Sequence, residues 1–508
     1  MITVKAWQGR LAAVTPLLLW VVTAISLLIR LVEIDYSYGG DDFIVLSGLG
    51  NSLSATVSWA AGINYAPLYF SLLKLFTYAG QSEIIARLLS VLFGVLSVPV
   101  LYLLGARLFG TKVGIVAAVL LAFSPFHLDQ ALQLKPATLL TLETLVSVYC
   151  LIRWIEERRL SWLVGCVLVN VLALYTHYFA LFLILFENVA FVIFAWRGQE
   201  WHNLRTWALA QASTLVLFAP WAKVMLDQIT TGRIVGLVPR SSLIFALPEL
   251  ALTFTTGYTA VWFTQITANK RFVWEEIFEN TPVLVLWLTA FLPSTVLGLI
   301  ATIRQREKGL LLLLFLACTL VLPFALVFFP SIGVFSPKLV IGASTGYYLL
   351  LALGLVRSPH RKVVVSLMSL IVLLTSYSLF NYYLRDTEFG RRENFRGLVE
   401  YVVANERKGD LLVAGSGTQG VQYYLRPYAN ELVPIYMSPW GNASTQTILE
   451  ESIPTAQRVW LVYRVREDSD PNGPWIQVQN RLMQLYRLEQ ERRFNPSLVL
   501  YLYERPVP

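Results

Sequence analysis

Apolar runs close to the thickness of a bilayer core recur through the first 384 residues, and no other feature of the sequence constrains the fold as tightly. A helix rises about 1.5 Å per residue and the hydrocarbon core is about 30 Å thick, so about 20 apolar residues cross it. By that ruler the sequence predicts eleven spans, at 11–31, 85–106, 112–126, 137–154, 160–176, 179–196, 205–222, 281–303, 309–329, 338–356 and 362–384. An apolar share of 56% against 14% charged residues requires most of the chain to sit in lipid. The first run follows Lys5 and Arg10, is long for a signal-peptide core and lacks a small-residue cleavage site, so it is read as a retained span.

Charge sets the orientation. With the N-terminus inside, the inner loops contain Arg107 and Lys112, then Arg153, Arg158 and Arg159, then Arg197 and Arg205, then Arg304, Arg306 and Lys308, then Arg357, Arg361 and Lys362. The short outer loops carry mostly single cations, such as Lys135 and Lys338. This asymmetry is the positive-inside pattern, and an odd number of spans leaves everything after about 385 outside. The chain reads as a multi-pass protein of the plasma (inner) membrane. Its formal charge of +8 has the same origin, and with no basic stripe interleaved with aromatics the sequence excludes a nucleic-acid binder. Cys150, Cys166 and Cys318 fall inside apolar runs, which implies neither a disulfide framework nor a metal site.

Beyond residue 385 the period changes. Short apolar strands at 411–414, 433–437, 459–463 and 498–503 alternate with helical stretches near 394–407, 418–425, 445–452 and 475–491. The division is therefore a transmembrane domain at 1–384 and a small extracytoplasmic α/β domain at 385–508. Residues 415–420 read GSGTQG, a GxGxxG between a strand and a helix, but VPIYMSPW follows and no acid ends the next strand. A glycine-rich turn is the better reading than a dinucleotide site; if it binds anything, a phosphate or sugar at the helix N-terminus is the physical option.

Three features bear on chemistry. Asp41 and Asp42 follow Gly39 and Gly40 in the first outer loop, so two carboxylates are presented together. Either suits proton abstraction from a hydroxyl, and the pair suits a divalent cation held by hard oxygen ligands; in isolation such a pair reads more readily as a solvated acidic turn. Glu143 and Glu187 fall inside spans, where an acid costs at least a few kcal/mol and faces a cavity or a partner. They suit a transporter, or else a buried structural pair or protonated acids. Paired Gly/Pro-broken helices in corresponding halves, the usual mark of alternating access, are missing.

Beyond these, the motifs run in a telling order: Asp41-Asp42, NYAPLYF at 64–70, RLLSVLFGVLSVPVLYLLGARLFG at 87–110, SPFH at 124–127, LQLKPA at 132–137 and YTHYF at 175–179. This order resembles the GT-C glycosyltransferases related to the lipid A aminoarabinose transferases and the protein O-mannosyltransferases, a family 39-like group. The chain departs from them at Tyr65, where His is usual, at Gln133, where Glu is frequent, and at Lys135 and Lys338, where Arg is usual. The resemblance implies a GT-C-like polytopic helical fold and an enzyme that transfers a hexosyl or pentosyl group from a polyprenyl-phosphate sugar donor. The acceptor is a glycan, lipid or protein at the outer face, and the transfer inverts the anomeric centre. Asp41 is then the base, with Asp42 orienting it or sharing its task, and Lys135 and Lys338 hold the donor phosphate. Tyr65, Tyr69, His127, Asp129, Gln133, His177 and Tyr178 line a cavity open to membrane lipids and roofed by the first loop and residues 223–280. No metal is implied with certainty, a divalent cation near Asp41 and Asp42 being the one option. Two other classes use the same residues: a transporter or flippase of lipid-linked saccharides, and a non-catalytic binding or assembly relative in which Tyr65 and Gln133 mark decay.

Overall fold

The computed structural model describes residues 2–198, 201–231, 243–257, 274–326, 337–384, 393–415, 419–428, 435–436, 448–464, 474–495 and 498–506. The chain forms two compact units, Met1–Ile34 with Leu49–Phe380, and Asp35–Gly48 with Asn381–Pro508.

The first unit is helical. Helix α1 covers Ile2–Leu31; the second unit holds α2, Gly40–Gly48, and the first resumes with α3 (Leu53–Gly62), α4 (Leu68–Thr77), α5 (Glu83–Phe109), α6 (Thr111–Ala122) and α7 (Pro125–Ala131). Then come α8 (Ala137–Glu157), α9 (Leu160–Thr176), α10 (Ala180–Gly198), α11 (Leu204–Thr230), α12 (Leu243–Thr256) and α13 (Trp274–Arg304). Helix α14 (Arg306–Leu316) continues through a π-helical turn into α15 (Leu322–Leu326), and α16 (Ile341–Arg357) and α17 (Arg361–Leu384) close the series. Among the described residues eight helices are long and apolar enough to cross a membrane, and a ninth span results if the bent pair α6 and α7 is counted as one. The expected spans at 11–31 and 160–176 coincide with shorter apolar helices, Pro16–Leu31 and Leu160–Thr176.

Glycine fixes how closely the first helices pack. Gly110 ends α5 at φ +102°, a left-handed conformation that costs glycine little, and the chain turns straight into α6. A Cβ on Gly105 would lie 2.9 Å from the Gly114 Cα, and one on Gly114 would lie 2.6 Å from Tyr102 O. The two backbones therefore touch, the small-residue packing that membrane helices use in place of a hydrophobic drive.

The expected span at 112–126 is corrected: it breaks at Phe123 and Ser124, and α7 leaves α6 at 56°. Pro125 is the first residue of α7, and Ser124, extended at ψ 117°, caps it by accepting the His127 N–H at 3.3 Å. A proline holds its predecessor out of the helical region and suits the first helical position, so Ser-Pro ends one helix and starts another.

In the second unit a sheet of strands β1 (Leu411–Ala414), β2 (Ile435–Tyr436), β3 (Arg458–Arg464), β4 (Arg487–Asn495) and β5 (Leu498–Glu504) runs in the order β2-β1-β3-β5-β4. β1 is parallel to β2 and β3, and β5 is antiparallel to β3 and β4. Helices Phe395–Asn405 (α18), Gln419–Leu425 (α19) and Pro474–Leu485 belong to the same unit, and Val413, Val459, Leu461, Val478 and Leu482 share its core. The helix expected over 475–491 is corrected: it stops at Leu485, and 487–495 form an edge strand. The Tyr486 hydroxyl, donating to Ala456 O at 2.7 Å, pins the helix end. The charges of RLEQERRFN then lie exposed along the sheet edge, where they discourage further strand pairing. Residues 35–48, expected as a loop of the membrane part, are helical from Gly40 and pack within this second unit. Of the strand expected at 433–437 only 435–436 are described, and much of 223–280 lies outside the described residues.

Candidate functional site

In the first unit the break between α6 and α7 organises the polar residues. Asp129 and Gln130 are on α7, and Gln133 and Lys135 are on the turn leading to α8. Gln133 Nε2 donates to Asp129 Oδ2 at 2.8 Å, and Gln130 Nε2 donates to the same oxygen at 2.9 Å. From a tight turn at Pro337–Val340, Lys338 Nζ donates to Gln133 Oε1 at 3.4 Å. Behind this junction the Ser90 hydroxyl donates to Gln133 O at 3.0 Å. That proton being used, the Tyr69 hydroxyl is the donor in its 2.6 Å bond to Ser90 Oγ. Four residues read from separate stretches of sequence, Tyr69, Asp129, Gln133 and Lys338, thus share one network. Lys135 is half-buried two residues beyond Gln133.

The histidines lie elsewhere in the unit. His127 is buried, and because the Ser344 hydroxyl proton goes to Ile341 O at 2.6 Å, His127 Nε2–H donates to Ser344 Oγ at 2.7 Å. By the same logic Tyr348 donates to Phe254 O at 2.6 Å and Ser124 donates to the Tyr348 hydroxyl at 2.8 Å. These bonds fasten α7 to α16 and α12. His177 ends α9, and its Nδ1 accepts the Phe179 N–H at 3.2 Å. Burial lowers its pKa to about 4, so the ring is neutral at pH 7.

Tyr178 and Tyr65 meet through a residue that no motif singled out. Tyr178 donates to Gln228 Oε1 at 2.5 Å and accepts from Trp221 Nε1 at 2.9 Å. Gln228 Nε2 reaches Ala60 O at 3.0 Å and Ala61 O at 3.2 Å, at the end of α3, and Tyr65 O at 3.5 Å. The Tyr65 ring packs on Phe70 at 4.8 Å and Trp59 at 5.7 Å. The only prior signal for Gln228 was an uncharged polar residue near the end of an apolar helix. Arg30, fully buried, was likewise missed: its Nη1 donates to Ser26 O and to Ala122 O, both at 3.0 Å, and so holds the last carbonyl before the break.

The two intramembrane acids do not pair with each other, which corrects that expectation. Glu143 accepts from Thr176 Oγ1 at 2.9 Å. Glu187 accepts from Ser147 Oγ and Asn170 Nδ2, each at 2.5 Å. Hydroxyl and amide donors from neighbouring helices meet both oxygens of Glu187, whereas Glu143 is met at Oε1 only and its buried Oε2 has no hydrogen-bond partner among the described residues.

In the second unit Asp41 and Asp42 open α2. Asp42 Oδ2 accepts the Gly39 N–H at 3.2 Å while the Asp42 N–H bonds Gly39 O at 3.0 Å, so the acid reaches back over the helix start as in a capping box. The Asp41 side chain lies outside the described residues. Tyr38 N–H donates to the Tyr424 hydroxyl at 2.8 Å, and Arg396 binds Ser37 Oγ through its backbone N–H at 3.2 Å and Asp35 O through Nη2 at 2.7 Å. The Phe43 ring packs edge-on to Phe395 at 5.5 Å. A Cβ on Gly420, the last residue of GSGTQG, would lie 2.5 Å from ring atoms of both Phe43 and Phe395, so close ring packing accounts for this glycine. Residues 416–418 of that motif are outside the described residues. Glu393 pairs with Arg464, and its Oε2 lies 4.0 Å from where a Gly39 Cβ would be. For a divalent cation the describable ligand of the pair is Asp42, whose Oδ2 already accepts the cap bond. Among the described residues no three His, Cys, Asp or Glu side chains group as metal ligands.

Eight helices long and apolar enough to cross a bilayer among the described residues make this an integral membrane protein. Residues 64–223 match the dolichyl-phosphate-mannose-protein mannosyltransferase family. The whole fold is similar to that of ArnT from Cupriavidus metallidurans in the apo state, with a TM-score of 0.56 and 14% identity over 98% of each chain. The same protein bound to undecaprenyl phosphate superposes with a TM-score of 0.50 at 14% identity, over 95% of this chain and 97% of that one. The Archaeoglobus fulgidus oligosaccharyltransferase tethered to an acceptor peptide gives 0.51 at 13% identity, over 91% of this chain and 70% of that one. No curated protein matches the chain in sequence. The chain is thus similar to the GT-C glycosyltransferases of the aminoarabinose transferase and protein O-mannosyltransferase group.

Proposed function

We propose that this chain transfers a sugar from a polyprenyl-phosphate donor to a glycan, lipid or protein acceptor at the outer face of the membrane. The observation that carries the reading is the meeting of Tyr69, Asp129, Gln133 and Lys338 at the broken span, within the stretch that matches the mannosyltransferase family and its neighbouring turn. The donor class is supported by the similarity to ArnT, which is described bound to undecaprenyl phosphate.

In this reading Lys135 and Lys338 hold the donor phosphate, and Asp41 takes the proton of the acceptor hydroxyl as its oxygen attacks the anomeric carbon. The C–O bond to phosphate breaks with its electron pair on the phosphate oxygen. That leaving group is a stable anion, and the ammonium groups stabilise it further as charge develops. No acid is needed to protonate it, so Gln133 in place of Glu is compatible with turnover. A single displacement inverts the anomeric centre. The basic loops between spans support a C-terminal unit on the outer side, where this acceptor is met.

The test is sugar transfer by purified protein in liposomes loaded with a polyprenyl-phosphate sugar. The expected result is labelled acceptor together with free polyprenyl phosphate. Donor crossing the bilayer with no labelled acceptor supports a flippase and overturns the reading.

The lysines give a narrower test. A charge-assisted hydrogen bond contributes about 1.5–3 kcal/mol, so Lys135→Ala or Lys338→Ala should weaken donor binding about tenfold or more. Arg at either position should keep most of the affinity, because the charge stays. Unchanged donor binding in both Ala variants would leave these residues as interfacial anchors.

A further inference from the structure

Gln133 stands between a carboxylate and an ammonium. Its Nε2 donates to Asp129 Oδ2 at 2.8 Å and its Oε1 accepts from Lys338 Nζ at 3.4 Å. Its main chain is fixed as well, since the Tyr69–Ser90 pair ends on Gln133 O. The amide can be oriented in one way only: a flip would set Oε1 against the carboxylate and Nε2 against the ammonium, two repulsive contacts.

A primary amide both donates and accepts without carrying charge. A carboxylate at 133 could accept from Lys338 but not donate to Asp129 unless protonated. Ionised, it would put like charge within about 3 Å of Asp129, and opposite charge directly on the ammonium. A leucine would hold neither neighbour. The residue at 133 therefore decides whether its own contact with Lys338 is made by a dipole or by a charge.

We propose that Gln133 is a positioning residue that fixes the Lys338 ammonium for an anionic ligand while adding no negative charge of its own to that site, with Asp129 anchoring the amide. Resting on the phosphate-binding role given to Lys338 above, this turns Gln133 from a sign of decay into a determinant of affinity. An anion arriving at Lys338 meets a cation held in place by residue 133 and not neutralised by it.

The experiment uses the full-length purified protein in detergent and measures binding of undecaprenyl phosphate at pH 8.0 and pH 5.5, each variant read against wild type at the same pH. Gln133→Glu, nearly the same in shape, should bind about tenfold more weakly at pH 8.0 and return to within about twofold of wild type at pH 5.5. Two neighbours set the sign: the Asp129 carboxylate, 2.8 Å from the side chain at 133, raises the pKa of the carboxyl that Gln133→Glu introduces more than the Lys338 ammonium at 3.4 Å lowers it, so acid protonates it, restores a donor to Asp129 and removes its charge. Adding Asp129→Asn should shift this recovery to lower pH by removing that like charge. A Gln133→Glu protein that binds like wild type at both pH values overturns the proposal, as does an equal loss at both, which is what a purely structural defect gives. Lys338→Ala separates the two levels. If it binds undecaprenyl phosphate as wild type does, the phosphate role of Lys338 fails; if it binds weakly while Gln133→Glu stays normal, only the role of Gln133 fails.

Discussion

Replacing Asp41 and Asp42 together by asparagine should lower sugar transfer about 100- to 10,000-fold, the usual contribution of a general base, while donor binding persists. Asparagine keeps the volume and hydrogen bonding of each side chain and removes the basic oxygen. The single variants should differ. Asp42 Oδ2 accepts the Gly39 N–H across the start of α2, and an asparagine oxygen can accept the same bond, so Asp42→Asn should leave the helix start intact. Asp41→Asn should be the more severe if Asp41 is the base and Asp42 its orienter; the reverse ranking exchanges the roles. Adjacent carboxylates can share a titration, and either can act when the other is removed, which makes the double variant decisive. Single-turnover transfer and donor binding, measured on the same folded protein, separate chemistry from binding. Near-normal transfer by the double variant would remove this mechanism.

How far the sequence could be read depended on the range of the interactions involved. Span positions follow from apolar length alone, which is local, and so most expected spans coincide with apolar helices. The break at Ser124 and Pro125 was signalled by the dipeptide, but the count of apolar residues on either side hid it. Arg30 lay inside an apolar run and was counted as part of a span, though it binds the Ala122 carbonyl 92 residues away. Residues 487–491 read as the end of a helix because RLEQE is rich in helix-forming charged residues; what makes 487–495 a strand is pairing with β5, which no local pattern reveals. The bonds from Tyr424 and Arg396 to residues 35–38 join segments about 360–390 residues apart and are equally non-local. The site residues were legible as types in motifs. Their wiring was not: that Gln133 joins Asp129 to Lys338, or that Tyr178 reaches α3 through Gln228, depends on partners brought together by the fold.

The largest structural effect is expected from Gly354→Val on α16. This helix is 89% buried over its apolar window, the highest share among the candidate spans. A Cβ on Gly354 would lie 2.4 Å from the Gly298 N and 2.8 Å from both the Gly298 Cα and Ser294 O. The contact is reciprocal, since a Cβ on Gly298 would lie 2.4 Å from Leu350 O. Every one of these neighbours is backbone, so no side chain can turn aside and the helices themselves must part. Glycine in a helix interior is about 1 kcal/mol worse than alanine, and its use on both faces here is explained by close approach of α13 and α16, the drive that packs helices in lipid. Gly354→Ala should cost about 1–3 kcal/mol as an overpacked contact. Gly354→Val, with two further methyl groups and a stiff χ1, should cost more and leave little folded protein. Gly62 supplies the control, because a Cβ there meets nothing within 4 Å and Gly62→Ala should be nearly neutral. Thermal unfolding in detergent, with size-exclusion profiles, should rank the variants Gly62→Ala, Gly354→Ala, Gly354→Val in falling stability. If Gly354→Val melts with wild type, α13 and α16 do not meet backbone to backbone, and the helix that carries Ser344 and Tyr348 beneath the broken span is held by other contacts.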